Sequence, residues 1–358
     1  LFVFWFGGRL IKKDFRQSHI SLCLLGFLAI SGLANLNGIG RYNSFFSGLE
    51  RMDGWFNLFH LVLYFYIVRD YLKGRDWNVF LSLFVFSGLI NTLMAFYQRL
   101  FLAQDHNYVF TGLVGNTAYL ATYSLLTGLL AVKLLLKSSV RLPIIEDETL
   151  WKKAKNKKGF YIVVIVLNFI ILVLTGSRAS IIGLLAGVFS LTFLNIRNFK
   201  YGFLTLLALG CLFFASTDIL SIPELKAKLF RSETIKWRLL NWQIAWEGIQ
   251  ERPLLGWGQE NFEIVNAKYY NPELKDLEAW ADNPHNTYLQ VLIESGIIGF
   301  SLYLAVIVGA FRALRRFALK EKMALLMFLV AILVHNIFMF NSLNTNLIFF
   351  GVLAYLDA

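Results

Sequence analysis

The feature that most limits what this chain can fold into is the length of its uncharged apolar runs. Residues 162–174 and 179–196 contain no Asp, Glu, Lys or Arg at all. Crossing about 30 Å of hydrocarbon takes roughly 20 helical residues. Inside lipid every backbone N–H and C=O must find a partner within the chain, so runs of this kind are read as helices. The composition agrees: 57% of the residues are hydrophobic and 16% charged, where a soluble domain carries about 45–50% and about 25%.

Hydropathy along the chain predicts spans near 20–35, 54–70, 78–97, 117–136, 160–176, 178–196, 201–216, 286–311, 323–340 and 345–357, with a partial span before Arg9. The expected fold is therefore an all-α polytopic membrane protein of ten to eleven transmembrane helices with one large, partly helical loop. The expected division is 1–216 for transmembrane helices with short loops, 217–285 for the large loop, and 286–358 for the last transmembrane helices. The chain opens on Leu1, and residues 1–6 read as the tail of an apolar segment. A missing start and a soluble domain after Ala358 are thus expected. No three-part signal peptide is visible. Cys23 and Cys211 both sit in apolar runs, where a thiol behaves as a small buried hydrophobe.

A formal charge of +11 would suit a nucleic-acid partner, but the distribution argues otherwise. Alternating the loops puts 22 of the 34 Lys and Arg into five short connections on one side, while eight more lie in the single long loop 217–285. Short basic loops stay in the cytoplasm and long loops cross largely regardless of charge. The basic excess is a topology signal, and it puts loop 217–285 on the extracytoplasmic face. The run 151–158, WKKAKNKK, is read as orientation and attraction to anionic headgroups.

Chemistry is expected in that long loop, since long loops between membrane helices are commonly functional. It holds four prolines and an amphipathic stretch within 224–251. On a helix Arg238, Trp242, Ala245 and Ile249 share one face. That helix is expected near the membrane surface with Trp237, Trp242 and Trp246 at headgroup depth, where indole rings settle. Arg178 follows Thr175-Gly176-Ser177 between two spans. A tight turn there would hold it against the bundle, although an arginine at a helix edge can also simply snorkel. Arg178 and Arg238 together could bind both phosphates of a pyrophosphate through bidentate, charge-assisted hydrogen bonds. His285 follows Pro284 and precedes a span, which predicts it in the first helical turn. A neutral imidazole there can take a proton from a hydroxyl, although a lone histidine is more often structural. His19, His60, His106 and His335 have weaker settings. The outer connections offer only scattered acids, and no Asp-x-Asp pair occurs in the chain. No metal or other cofactor is expected.

These residues resemble a known family. Thr175-Gly176-Ser177-Arg178-Ala179 is similar to the arginine motif of the O-antigen ligase and polymerase superfamily (Wzy-C type domain). Arg238-x-x-x-Trp242 and Arg252-Pro253-Leu254-Leu255-Gly256-Trp257-Gly258 resemble its large periplasmic loop. Pro284-His285-Asn286-Thr287-Tyr288-Leu289, running into Glu294-Ser295-Gly296-Ile297-Ile298-Gly299, resembles the segment that re-enters the membrane. Gly115-Asn116 also fits, with Thr117 where the family often has Pro, and Ser47 to Gly54 looks like a first outer loop of some members. The resemblance covers about residues 20–357. It implies a GT-C-like helical bundle in a bacterial inner membrane and metal-independent, inverting transfer of glycan from undecaprenyl pyrophosphate to an acceptor hydroxyl. Arg178 and Arg238 would hold the pyrophosphate and His285 the acceptor, with Trp242, Asn286 and Arg252 as further substrate contacts. The acceptor could be lipid A-core, a second glycan or a protein side chain. Two other readings stay open: a small-anion, bicarbonate-like transporter, and a non-catalytic scaffold for envelope assembly.

Overall fold

The structure, a computed structural model, describes residues 17–48, 53–102, 110–137, 157–191, 233–277 and 281–358. Its helices, in chain order, are α1 (His19–Asn37), α2 (Arg41–Phe46), α3 (Trp55–Tyr71), α4 (Asp76–Tyr97), α5 (Thr117–Lys137) and α6 (Lys157–Thr175). There follow α7 (Arg178–Ser190), α8 (Glu233–Glu251), α9 (Phe262–Lys268), α10 (Thr287–Ala313), α11 (Leu319–His335) and α12 (Leu343–Asp357). The described residues contain no strand. Helices α1, α4, α5, α6 and α10 are long and apolar enough to cross a membrane, and α7 and α12 are shorter apolar helices. The protein is an all-α polytopic membrane protein. The predicted span 201–216, the segment before Arg9, Cys211 and His106 lie outside the described residues.

Two expected boundaries are corrected. The span foreseen at 323–340 ends as helix at His335. Beyond it the backbone turns to serve α10: the carbonyl of Asn336 accepts from Thr287 N at 2.9 Å, and that of Met339 accepts from Thr287 Oγ1 at 2.9 Å. The span foreseen at 286–311 is interrupted at Gly296, whose φ of 62° and ψ of −173° are not helical.

The chain divides into two compact units. The first contains α1, α2, α3, α8, α9, α10 and α12. Here α1 packs on α10 and α3, and α12 packs on α3. The start of α1 is closed by a reciprocal Ser18–Ser21 capping box, which satisfies two otherwise orphaned donors. Ser18 also donates to Asp357 at the end of α12. Arg69 of α3 reaches the same carboxylate at 3.0 Å and Asp70 at 2.9 Å. A buried charge is tolerated only when paired, so these contacts fix where three helices end.

Within this unit the long loop has its own core of Trp237, Ile244, Ile249, Trp257, Phe262, Val265 and Ile293, among others. Trp257 is its centre, 1% exposed, with its indole N–H donated to the Gly248 carbonyl at 2.8 Å. The chain reaches this position because Gly256 adopts a φ of 72°, a region that only glycine enters at little cost. The loop is tied to α1 and α2 by amides. Asn35 accepts from Gln259 N at 2.8 Å, and Asn261 donates to Ser44 Oγ at 2.9 Å.

The second unit contains α4, α5, α6, α7 and α11, with α5 packed against all four others. Asn168 of α6 accepts from Thr92 at 3.3 Å and from Thr127 at 3.0 Å, which satisfies a buried amide in the bundle interior. Gly183 and Gly187 of α7 lie so close to α11 that an added Cβ would stand 2.6 Å from Ala331 O and 2.7 Å from Met327 O. Small residues four apart let two membrane helices approach at backbone distance. At the other end of α11, Glu321 pairs with Lys133 at 3.2 Å and Lys137 at 3.1 Å.

Candidate functional site

In the first unit the site is built on the junction between the loop and α10. Helix α8 buries Trp237, Asn241, Ile244, Ala245, Gly248 and Ile249. The buried face thus includes Ala245 and Ile249 from the expected set and is centred further towards Trp237. This corrects the expected membrane-surface role of the tryptophans. Trp237 is 8% exposed and belongs to the loop core, Trp242 is partly buried, and of the three only Trp246 is exposed. The Trp242 indole donates to the Pro284 carbonyl at 2.9 Å and stacks near Phe338, with centroids 6.4 Å apart. That bond joins α8 to the Pro284-His285 segment.

His285 stands just before α10, not in its first turn. Asn286 takes the capping place: its Oδ1 accepts from Tyr288 N at 3.0 Å and Leu289 N at 3.2 Å. A side-chain oxygen that satisfies the first free N–H groups of a helix fixes its start. His285 itself has a φ of 50°, which is costly for a residue with a Cβ. Several contacts hold it there. Its N–H donates to Asn283 Oδ1 at 2.9 Å. The imidazole lies perpendicular to the Trp237 ring at 4.8 Å between centroids and perpendicular to Phe340 at 5.1 Å. Strain of this kind persists only where the surroundings over-determine it, and it gathers at working sites.

Sequence reasoning misses both aromatic walls. Trp237 reads as a membrane anchor, and Phe340 reads as part of a span. A signal exists in residues 336–341, Asn-Ile-Phe-Met-Phe-Asn. Asparagines at both ends with phenylalanines two apart have a period unlike a lipid-facing helix.

Arg238 follows Trp237 on α8 and is partly buried. Arg252 lies over the Trp257 ring, its Cζ 4.3 Å from the centroid, and its Nη1 donates to the Asn37 carbonyl at 3.4 Å. Arg252 thereby serves the loop core. Nearby, Lys268 donates to Glu251 Oε2 at 2.6 Å, and Tyr269 donates to the same oxygen. Hydrogen bonds from Lys268 and Tyr269 hold the Glu251 carboxyl below the ordinary carboxylate range, and the bond to Glu251 raises Lys268.

Arg178 belongs to the second unit. There Gly176 adopts a φ of 67°, and its N–H bonds to the Val173 carbonyl at 3.0 Å. Ser177 is the N-cap of α7, and Arg178 is the first helical residue, partly buried. This is the tight turn expected from Gly176-Ser177. Gly115 has a φ of 78°, and Asn116 Oδ1 accepts from Ala118 N at 2.7 Å at the start of α5. His335 is fully buried in the second unit, with Nε2 at 2.9 Å from Thr122 Oγ1. That setting is structural.

Comparison with known proteins bears on this geometry. Residues 163–304 match the family model described as O-antigen ligase. Arg178, Arg238, Arg252 and His285 all fall inside the matched stretch. A protein of Rickettsia conorii provisionally named a polysaccharide ligase is 28% identical over 163 residues, which covers 43% of this chain and 39% of that protein. The chain thus spans about two-fifths of the curated relative's length.

Proposed function

We propose that the protein is a membrane glycan transferase that moves an oligo- or polysaccharide from undecaprenyl pyrophosphate to an acceptor hydroxyl. The reaction would take place on the extracytoplasmic face of a bacterial inner membrane. The observation that carries this reading is His285, held in a strained backbone conformation between two perpendicular aromatic rings. It lies within the stretch that matches the O-antigen ligase family. A histidine fixed at such cost is better explained by a hydroxyl it must meet than by packing alone.

In the proposed reaction the acceptor oxygen attacks the anomeric carbon as the bond from that carbon to the pyrophosphate oxygen breaks. Configuration inverts, and the hydroxyl proton passes to the imidazole of His285. Charge developing on the leaving pyrophosphate falls to the guanidinium groups of Arg178 and Arg238, the kind of electrostatic stabilisation that usually contributes most. Trp242 supports His285 through the Pro284 carbonyl, and Asn286 fixes the start of α10 behind it. No step is routed through a metal ion.

The test is glycan transfer by membranes containing His285→Asn, since asparagine tolerates a positive φ but supplies no base. Transfer is expected to fall by about 10²-fold or more, the usual worth of a positioned base, with expression and membrane insertion unchanged. Arg238→Lys should lose transfer as well, because a point charge cannot replace a bidentate fork. Full transfer by His285→Asn would end the reading. Glycan analysis of a deletion strain, by showing which polymer loses its attachment, identifies the acceptor.

A further inference from the structure

The first unit holds a cavity of about 140 Å³ that the proposed chemistry leaves unused. It opens among α1, α3, α10 and α12. Asp53, Asn57, Glu294, Asn341 and Asn346 contribute its polar side, while Phe27, Leu58 and Phe349 contribute to the apolar side. Such a density of carboxylates and amides inside a helical bundle needs a purpose, because polar groups in membrane helices are expensive to keep.

The lining excludes one class of ligand and favours another. Among the lining residues there is no Lys, Arg or His, so nothing there answers a phosphate. Carboxylates accept hydrogen bonds, and side-chain amides both accept and donate, which suits a ligand dense in hydroxyl groups. The Asn341 Oδ1 is buried and accepts no hydrogen bond among the described residues. Glu294 is held in place from one side: Gln290 Nε2 donates to its Oε1 at 3.2 Å, and the Glu260 N–H reaches the same oxygen at 3.4 Å. Both donors use Oε1, which leaves Oε2 for a ligand. The size fits a single ring, since a cavity of about 150 Å³ accommodates benzene. Thr287, two residues from His285, forms part of the wall.

We propose that this cavity is a subsite for one neutral sugar ring of the glycan substrate, recognised through its hydroxyls by Asp53, Asn57, Glu294, Asn341 and Asn346. The assignment rests on the transferase reading above and adds to it a specificity site separate from the cationic groups that would hold the pyrophosphate.

The test uses the purified full chain in detergent with two kinds of probe. One is a panel of free monosaccharides: glucose, galactose, N-acetylglucosamine and rhamnose. The other is inorganic pyrophosphate. At least one sugar is expected to bind the wild type, and Asn57→Leu and Asn346→Leu should each weaken it tenfold or more while leaving pyrophosphate binding unchanged. Arg238→Ala should do the reverse. As a check that does not depend on those variants folding, Leu58→Cys, on the apolar side of the cavity, in a background with Cys23 and Cys211 replaced by Ser should be protected from a thiol reagent by the bound sugar. The proposal is overturned if no sugar in the panel binds, or if the leucine variants bind it as the wild type does. It is equally overturned if calcium or magnesium, and no sugar, protects the introduced thiol. Failure of Arg238→Ala to weaken pyrophosphate binding would count against the transferase reading itself, and so the two failures can be told apart.

Discussion

Helix breaks at two glycines, Gly176 and Gly296, are alike in backbone and opposite in use. Both residues have φ near 65°, at 67° and 62°. At Gly176 the turn is local: its N–H returns to Val173, the Ser177 N–H reaches Thr175 Oγ1 at 3.4 Å, and a new helix starts with Arg178. At Gly296 the helix continues on both sides, and the backbone groups are served by a distant segment. Ile297 N donates to Pro253 O at 2.8 Å, Trp257 N to Ile293 O at 2.8 Å, and Gly258 N to Glu294 O at 3.0 Å. Backbone freed by a break at membrane depth must be satisfied somewhere. Where the partners are local, the break can present a side chain such as Arg178. Where they come from a loop, the break becomes the lock that holds that loop.

The contrast can be broken most sharply at Gly296. An added Cβ would lie 2.2 Å from the Leu254 carbonyl oxygen, so Gly296→Ala adds overpacking against backbone to left-handed strain. A loss of about 3–4 kcal/mol is expected, read as a large fall in thermal stability and proteolytic release of the loop 233–286. A melting temperature within a few degrees of wild type would mean that the lock is not needed.

Gly176→Ala should cost less, about 1–2 kcal/mol, the strain of a side chain in the left-handed region. Gly176→Asn should recover most of this. Thermal melts of the two variants side by side decide it, and equal losses for Ala and Asn would show that the turn is crowded rather than strained.

The caps sharpen the comparison further. Asn286 bonds two free N–H groups of α10, whereas Ser177 makes no side-chain cap bond to α7. Asn286→Ala is therefore expected to cost about 1 kcal/mol, and Ser177→Ala less, since it gives up only the bond from Ser177 Oγ to Ser180 Oγ at 3.2 Å. Similar melting shifts for both would contradict the cap geometry.

The smallest effect concerns the exposed Glu251–Lys268 pair beside the lock. Glu251 titrates below its ordinary value in the folded protein, so its contribution is present above that ordinary value and is lost as pH falls through the depressed one. Lys268 titrates above its ordinary value, so its contribution is lost only as pH rises through the raised one. Between these limits Glu251→Gln should leave the melting temperature nearly unchanged, since exposed pairs contribute little. A marked loss at neutral pH would show that the pair does more than decorate the loop.

Much of this was legible in the residues. Uncharged runs of membrane length read as helices because lipid offers the backbone no other partner, and α1, α3, α4, α5, α6 and α12 lie close to their expected bounds. Gly176-Ser177 read as a turn because glycine alone enters the left-handed region cheaply. Arg178 and His285 stood out because they border apolar runs, and Arg238 because it is a second guanidinium expected on the same side of the membrane. Less was legible where a residue's role depends on a partner far along the chain. Trp237 looked like a membrane anchor, yet it packs on an imidazole 48 positions later. Phe340 looked like the end of a span and forms the other wall.

The sequence by itself determined the helices, their turns and the candidate chemistry, because periodicity, glycine conformation and the cost of charge in lipid act over a few residues. Only the tertiary structure decided that His285 leaves the helix, that residues 253–258 complete the break in α10, and that a carboxylate- and amide-lined cavity remains beside them. Those outcomes depend on which distant groups satisfy one another's hydrogen bonds and fill one another's volume, and no local pattern encodes that.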